Sequence, residues 1–168
     1  MKLTIGMAHH DDFHGAYFTI QDIVKELRYN GRSDLLREIE FLVVDNNPES
    51  SHGRELKTFI TNNVPNGRYV DYSESVGTSS SRNKVVEEAS GEFVLVMDCH
   101  VLLCPTNKIL IKLFNFLHEN PDTRDLYSGP LVYDNIQNIS THYNSRWGCE
   151  MWGQWGCTFS CPCGELFS

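Results

Sequence analysis

EFVLVMDCH, residues 92–100, is the stretch that decides the fold. A β-rich apolar run, FVLVM, ends on an aspartate, a cysteine and a histidine. Such a run reads as a buried strand, here 92–98, and its polar end is where chemistry would sit. On an extended chain residues i and i+2 point to one side. Asp98 and His100 are therefore expected to reach one cation together, with Cys99 turned the other way into the core. A carboxylate with an imidazole suits Mn²⁺ and similar divalent ions better than Ca²⁺. The competing reading is a strand-end aspartate capping a turn beside a surface histidine.

Working outward, apolar runs alternate with helical patterns. KLTIGM (2–7) reads as a strand, and Tyr17, Ile20, Ile23, Val24 and Leu27 recur at helical spacing, giving a helix over 16–29. EFLVVD (40–45) is a second strand ending at a turn-like DNNPES. Leu56, Phe59 and Ile60 mark a second helix, and RYVDYS (68–73) a weaker strand. Thr78 to Ser81 offer side-chain caps for a helix over about 79–90, closed by Gly91. Pro105 opens a fourth helix carrying Ile109, Leu110, Leu113, Phe114 and Leu117, and LYSGPLVYD (126–134) reads as one more strand. This alternation predicts an α/β fold, a mainly parallel sheet with helices on both faces. Ligands bind beyond the carboxyl ends of such strands. Three ends are polar here: Ala8-His9-His10-Asp11-Asp12, Asp45-Asn46-Asn47 and Asp98-Cys99-His100.

The 168 residues suit one domain with a sizeable core. Fourteen basic residues face twenty-two acidic ones, a net charge of -8, which argues against a general nucleic-acid binder. It leaves room for a small anion bridged by a metal ion. No apolar stretch is long enough to span a membrane, and the N-terminal apolar run is too short for a signal peptide. The expectation is a cytoplasmic or membrane-peripheral protein with reduced thiols.

Two further groups carry chemistry. Gly77-Thr78-Ser79-Ser80-Ser81-Arg82-Asn83 starts a helix, where backbone N–H groups and Arg82 can face an anion; the alternative is an ordinary cap with a solvated arginine. Asp45, after FLVV, can accept from a base N–H or a ribose hydroxyl, or simply close an Asx turn.

Taken together, VVDNNPES, GTSSSRN and SGEFVLVMDCH resemble, in order and spacing, the motifs of the nucleotide-sugar domain of family 2 glycosyltransferases, the GT-A fold, over about residues 3 to 120. The family pattern is a strand ending V-D-[DN]-[GN]-S, then G-x-x-x-A-R-N, then G-E-[YF] and a strand ending D-x-D. The resemblance implies a Rossmann-like nucleotide-binding sandwich and a transferase using a UDP- or GDP-sugar with Mn²⁺ or Mg²⁺. It implies that Asp45 contacts the base, that Asp98 holds the ribose or the metal, and that His100 ligates the metal in place of the second Asp. A D-x-H variant occurs in the related polypeptide N-acetylgalactosaminyltransferases. Arg82 would lie near the diphosphate or pair with a strand-end carboxylate, and Asn47, Gly77, Ala8 and His9 fall on nucleotide-contacting segments. Ala8 and His9 depart from the family's proline-threonine turn, and Ser81 stands where Ala is usual.

Transfer with inversion also needs a base for the acceptor, a glycan, lipid or protein. Asp134, Glu150 and His142 are the candidates; Trp147-Gly148-Cys149-Glu150 echoes a W-G-G-E motif. Trp147, Trp152 and Trp155 can stack on a sugar or sit in the core. Cys149, Cys157, Cys161 and Cys163 lack the paired hooks of structural zinc sites, so loose or packed thiols are expected. The chain is expected to be one domain, 1–168, with a nucleotide-sugar part over about 1–120 and a partial or truncated acceptor side over about 121–168, since GELFS stops on an apolar pattern. The rival functions are a non-catalytic binding module of the same fold, a nucleotidyltransferase, and a small redox or zinc protein.

Overall fold

The computed structural model describes residues 2–74, 77–103, 108–127, 131–132, 139–141, 143–147 and 153–155. The chain divides into two compact units, Met1–Pro121 and Asp122–Ser168. The first runs β1 (Leu3–His9), α1 (Phe13–Tyr29), a short 3-10 helix (Ser33–Arg37), β2 (Ile39–Asp45), α2 (Ser51–Asn63), β3 (Gly67–Asp71), α3 (Thr78–Glu88), β4 (Phe93–Asp98) and α4 (Ile109–Glu119). The four strands form one parallel sheet in the order β3-β2-β1-β4. The chain steps outward from β1 to β3, then returns to place β4 on the other side of β1. That reversal makes the C-terminal ends of β1 and β4 a topological switch point, where a crevice opens in sheets of this kind.

The period-two alternation of the strands sorts the two faces. Leu3, Ile5 and Met7, with Ile39, Phe41 and Val43, point to one side and form the main core with Ile20, Ile23 and Leu27 of α1, Leu56 and Ile60 of α2, and Leu110 and Phe114 of α4. Each such side chain, fully buried, stabilises the fold by roughly 1.5–3 kcal/mol. The opposite face carries Leu42 and Val44, packed beneath Val85 of α3. Helices therefore cover both faces, as expected.

Several boundaries and environments differ from the sequence reading. β1 runs two residues further than expected, so Ala8 and His9 belong to the strand rather than to a turn. α1 begins at Phe13, with Asp12 as its N-cap accepting from the Gly15 N–H at 2.9 Å. α3 is capped by Gly77 at φ 114, without a side-chain cap bond. Its serines turn the other way: Ser80 and Ser81 hydroxyls donate to the Gly77 carbonyl. The helix ends at Glu88, and Gly91 is instead a point of close approach, since a Cβ there would lie 2.5 Å from the Thr4 nitrogen. β4 is not the deeply buried strand its apolar run suggests. Among the described residues it pairs only with β1, and Val94 and Val96 are 37% and 38% exposed. α3 packs over β1 and β2, and β4 lies at the margin of that cover.

In the second unit, β5 (Leu131–Val132) pairs antiparallel with β6 (Ile139–Thr141), and β7 (Tyr143–Trp147) with β8 (Gly153–Trp155). Of the expected strand over 126–134, only Leu131–Val132 is extended among the described residues. Asp134, His142, Glu150 and Trp152, and every cysteine except Cys99, lie outside the described residues. No helix among the described residues is long and apolar enough to cross a membrane.

Candidate functional site

A cleft of ≈ 340 Å³ opens at the switch point, lined by Ala8, His10 and Asp12 from the end of β1, Asp98, Cys99 and His100 from the end of β4, and Arg82 from α3. The cleft thus brings together Ala8, Arg82, Asp98 and His100 of the residues singled out in the sequence. It adds His10 and Asp12, which that reading put at a polar strand end without giving them a role, and Cys99, which it turned toward the core.

The division of labour at the tip of β4 follows from where the strand stops. Asp98 is its last residue and pairs in register with Ala8, on the face that carries α3. Its carboxylate is ion-paired with Arg82. Of the two partners open to Arg82, the diphosphate or a strand-end carboxylate, the structure shows the second. Beyond Asp98 the chain turns, so the alternation expected through His100 does not hold. Cys99 is 5% exposed and packs with the core, as expected, yet its Sγ also borders the cleft, 3.8 Å from Oδ2 of Asp12, and the Nδ1 of His100 lies 3.2 Å from the same oxygen. The partner of His100 across the cleft is therefore Asp12.

α1 holds this turn in place. The buried Thr19 hydroxyl lies 3.1 Å from the Cys99 carbonyl and 3.0 Å from that of Val101, and accepts from the Val101 N–H at 3.1 Å. Asp22 accepts from the Leu103 N–H at 2.8 Å. The helix comes so close that a Cβ on Gly15 would lie 2.3 Å from Oδ2 of Asp12 and 2.8 Å from the Cys99 carbonyl. Burial works to raise the Asp12 carboxyl, but the Gly15 N–H and the His100 side chain outweigh it and hold the group below its ordinary value. The Cys99 thiol is pushed up to about 12 by burial, with the Asp12 charge adding to it.

Two expected nucleotide contacts are internal instead. Asp45 is 0% exposed, its carboxylate on the core face of β2. It accepts from the Asn47 N–H at 2.9 Å and the Tyr69 hydroxyl at 2.6 Å, and Nδ1 of His9 lies 3.0 Å away. His9 is 1% exposed, and its Nε2 accepts from the Asp12 N–H at 3.0 Å, which leaves the ring proton on Nδ1 facing Asp45. Burial raises the Asp45 carboxyl, yet the bonds from His9, Tyr69 and Asn47 together bring it below its ordinary value. The Tyr69 hydroxyl is pushed upward by burial and by Asp45. As arranged, neither Asp45 nor His9 offers its side chain to a ligand. The exposed group at this strand tip is Asn46, whose Oδ1 meets Nδ1 of His10 at 2.8 Å and whose Nδ2 lies 3.5 Å from the Gly77 carbonyl.

The missed residues had signals. An aspartate directly before a helical pattern is a preferred N-cap, which would have drawn Asp12 into the site. Strand alternation from Phe41 and Val43 predicts an inward Asp45 and leaves Asn46 as the outward amide. Only the folded chain shows Cys99 in the cleft.

A parallel α/β sheet with a polar crevice at its switch point is an architecture in which ligands bind beyond the strand ends. Comparison with known proteins narrows the class. Residues 14–163 match the model of glycosyl transferase family 2, and the chain belongs to that family. It is 28% identical over 107 residues to an uncharacterised protein of Haemophilus influenzae, covering 62% of this chain and 54% of that one. It is 25% identical over 103 residues to an uncharacterised glycosyltransferase of Methanocaldococcus jannaschii, covering 61% of this chain and 35% of that one. The matched region thus spans about half and about a third of those relatives. Among solved structures, the 1–349 segment of S. aureus TarS superposes with a TM-score of 0.58 at 17% identity, over 76% of this chain and 39% of that one. The same segment has been solved with UDP-GlcNAc and with UDP, each superposing with a TM-score of 0.50 at 18% identity. The fold is therefore the GT-A type.

Proposed function

We propose that this chain binds a nucleoside-diphosphate sugar in the β1/β4 cleft and, with a divalent cation, transfers the sugar to a hydroxyl of a glycan, lipid or protein. The observation that carries this reading is the convergence of Asp12, His100 and Asp98 on one crevice at the switch point of a family 2 chain. A UDP donor, hexosyl or N-acetylhexosaminyl, is favoured over a GDP donor by the TarS complexes with UDP-GlcNAc and UDP.

The donor set fits a cation. An imidazole and a carboxylate face each other across 3.2 Å, and a second carboxylate, Asp98, lines the same cleft. Mn²⁺ or Mg²⁺ would be held by His100 with Asp12, or with Asp98 once Arg82 moves to the diphosphate. Such an ion neutralises charge on the departing diphosphate. Arg82 supplies a second positive group on the α3 side, and exchanging Asp98 for a phosphate keeps its guanidinium paired. Asn46 presents an amide, one donor group and one acceptor, able to pair with the imide edge of a uracil. The base that takes the acceptor's proton is sought among Asp134, Glu150 and His142.

Calorimetry with UDP and GDP, with and without Mn²⁺, tests the binding half. Cation-dependent heat with UDP is expected, and its absence with every nucleotide would refute the reading. Donor hydrolysis then separates a transferase from a binding module, since a module binds without turnover.

A further inference from the structure

From the way α1 meets the chain beyond β4 we infer that α1 is the frame that sets the span between Asp12 and His100, and that the buried Thr19 is the positioning residue for His100. The inference rests on the reading of the cleft as a cation-dependent nucleotide-sugar site and names the residues that act on it from behind.

The sequence of α1 poses the question. Gly15, Thr19, Asp22 and Glu26 follow one another at steps of four, three and four, so they lie along one face of the helix. That face turns inward: Thr19 is 0% exposed and Glu26 5%. An inward stripe should be apolar, as Ala16, Ile20, Ile23 and Leu27 are in the stripe beside it. Burying a hydroxyl and a carboxylate is unfavourable unless each finds a partner.

The partners are backbone groups of the chain that follows β4. Residues 99–103 lie outside any strand or helix, so no ladder satisfies their N–H and C=O groups. α1 supplies what the ladder does not. Gly15 leaves room for the Cys99 carbonyl, which a Cβ there would meet at 2.8 Å. The Thr19 hydroxyl stands 3.1 Å from the Cys99 carbonyl and 3.0 Å from that of Val101, able to donate its one proton to either, and it accepts from the Val101 N–H. Asp22 accepts from the Leu103 N–H. Glu26 faces the start of α4, whose cap residue Lys108 makes no side-chain cap bond. Burial lifts the Glu26 carboxyl above its ordinary value, and the N–H groups of Leu110 and Ile109 oppose the rise. The order of these residues along the helix matches the order of their partners along the chain, so the contacts fix register as well as distance.

His100 sits inside the span that Thr19 grips, between the Cys99 and Val101 carbonyls. Its ring is exposed and reaches Asp12, the N-cap of the same helix. Both members of the pair are therefore referred to α1: Asp12 by its bond from the Gly15 N–H, His100 through Thr19. The sheet does not do this, because β4 ends at Asp98. Partners one bond removed from a metal ligand set its orientation, and their loss typically costs about 10–100-fold in affinity.

Thr19→Val exchanges the hydroxyl for a methyl of similar size, and Thr19→Ser keeps the hydroxyl. Ile23→Val, a core change on the same helix, controls for stability. Each full chain is titrated with UDP by calorimetry, with and without Mn²⁺, after circular dichroism has confirmed the fold. Thr19→Val should bind UDP about tenfold more weakly when Mn²⁺ is present, and any binding without Mn²⁺ should be unchanged. Thr19→Ser and Ile23→Val should match the parent. If Thr19→Val does not fold, Asp22→Ala, at a half-buried position, decides in its place, and the same Mn²⁺-dependent loss is expected. Equal weakening in Ile23→Val overturns the inference by making the effect one of stability. A Thr19→Ser chain as weak as Thr19→Val overturns it by making the effect one of packing. Parent binding that depends on Mn²⁺ and survives in folded Thr19→Val sinks the positioning role alone. A parent without Mn²⁺-dependent UDP binding sinks the nucleotide-sugar reading and the positioning role with it.

Discussion

Oδ2 of Asp12 lies 3.2 Å from Nδ1 of His100 across a chain separation of 88 residues. The contact ties the N-cap of α1 to the turn after β4, so one carboxylate serves both the helix and the cleft. Asp12→Asn keeps the cap acceptor, because an amide oxygen can still take the Gly15 N–H. It removes the charge facing His100. The expected result is a fold that melts within about 1 kcal/mol of the parent, with cation-dependent UDP affinity at least about tenfold weaker. Asp98→Asn should cost less, because the Asp98 carboxylate is paired with Arg82. Calorimetry on the two variants decides; an equal or reversed order would return the cation to Asp98.

The same pair predicts a pH dependence. Ligation needs a neutral imidazole and an ionised carboxylate. Asp12 is held below its ordinary value, so its charge persists into mild acid. Cation-dependent UDP binding should therefore weaken in acid, because a protonated imidazole cannot ligate, and His100→Gln should flatten the profile. A variant profile as steep as the parent's would show that another group is responsible.

Asp45 and Asn46, adjacent in the chain, should separate stability from binding. Asp45 is 0% exposed and shares its carboxylate among Asn47, Tyr69 and His9. Its folded value is depressed, so the stability it contributes is complete above the ordinary carboxylate range and is lost as the pH falls through the depressed value. Asp45→Ala should cost about 3 kcal/mol and Tyr69→Phe about 1.5–3 kcal/mol at neutral pH. Asn46→Ala should leave the melting temperature near the parent's and weaken UDP binding by about 1 kcal/mol, the usual worth of one lost hydrogen bond. Thermal melts and calorimetry on the three variants check the contrast; a destabilising Asn46→Ala with unchanged affinity would contradict it.

The sheet was legible in the sequence because β1, β2 and β4 are largely apolar runs of 7, 7 and 6 residues that stop on polar residues. The order of motifs placed β1, β2 and β4 at one end, and the cleft formed there. What could not be read was the depth of each strand. Val94 and Val96 look like core residues, yet their exposure depends on where α3 packs, a tertiary matter. Likewise the side-to-side rule for Asp98 and His100 holds only while the chain stays extended, and it turns at Cys99. The capping serines illustrate a third limit. Gly77 at φ 114 turns the chain into α3 itself, so Ser80 and Ser81 bond backward to its carbonyl.

Gly15 is a point of close approach between α1 and the β4 turn. An alanine there would gain about 1 kcal/mol of helix propensity in isolation. Its Cβ would instead meet Oδ2 of Asp12 at 2.3 Å and the Cys99 carbonyl at 2.8 Å. Overpacking of this kind typically costs about 1–3 kcal/mol, so Gly15→Ala should lower stability by up to about 2 kcal/mol net. It should also weaken cation-dependent UDP binding by spreading Asp12 from His100. A variant that melts higher than the parent and binds as well would show that the helix start yields freely.

Glu40 provides a control at the opposite end of the sheet. It is 5% exposed, on the α3 face of β2, and it is fully engaged. Oε2 accepts from the Thr4 hydroxyl at 2.6 Å and the Ser90 N–H at 2.9 Å, and Oε1 pairs with Nε of Arg68 at 2.9 Å. Arg68 in turn holds Glu88 at the end of α3. Burial raises the Glu40 carboxyl, but these bonds outweigh it and bring it below its ordinary value. The stability it contributes is therefore complete above the ordinary glutamate range and fades as the pH falls through the depressed folded value. Breaking a buried pair costs 3–5 kcal/mol, and the partial exposure of Arg68 reduces that. Glu40→Gln should thus destabilise by about 2–3 kcal/mol at neutral pH, with the difference from the parent narrowing in acid. Because the network lies away from the cleft, UDP affinity measured well below the melting temperature should not change. A loss of affinity in a fully folded Glu40→Gln chain would mean that α3, and Arg82 with it, depends on this network for its position.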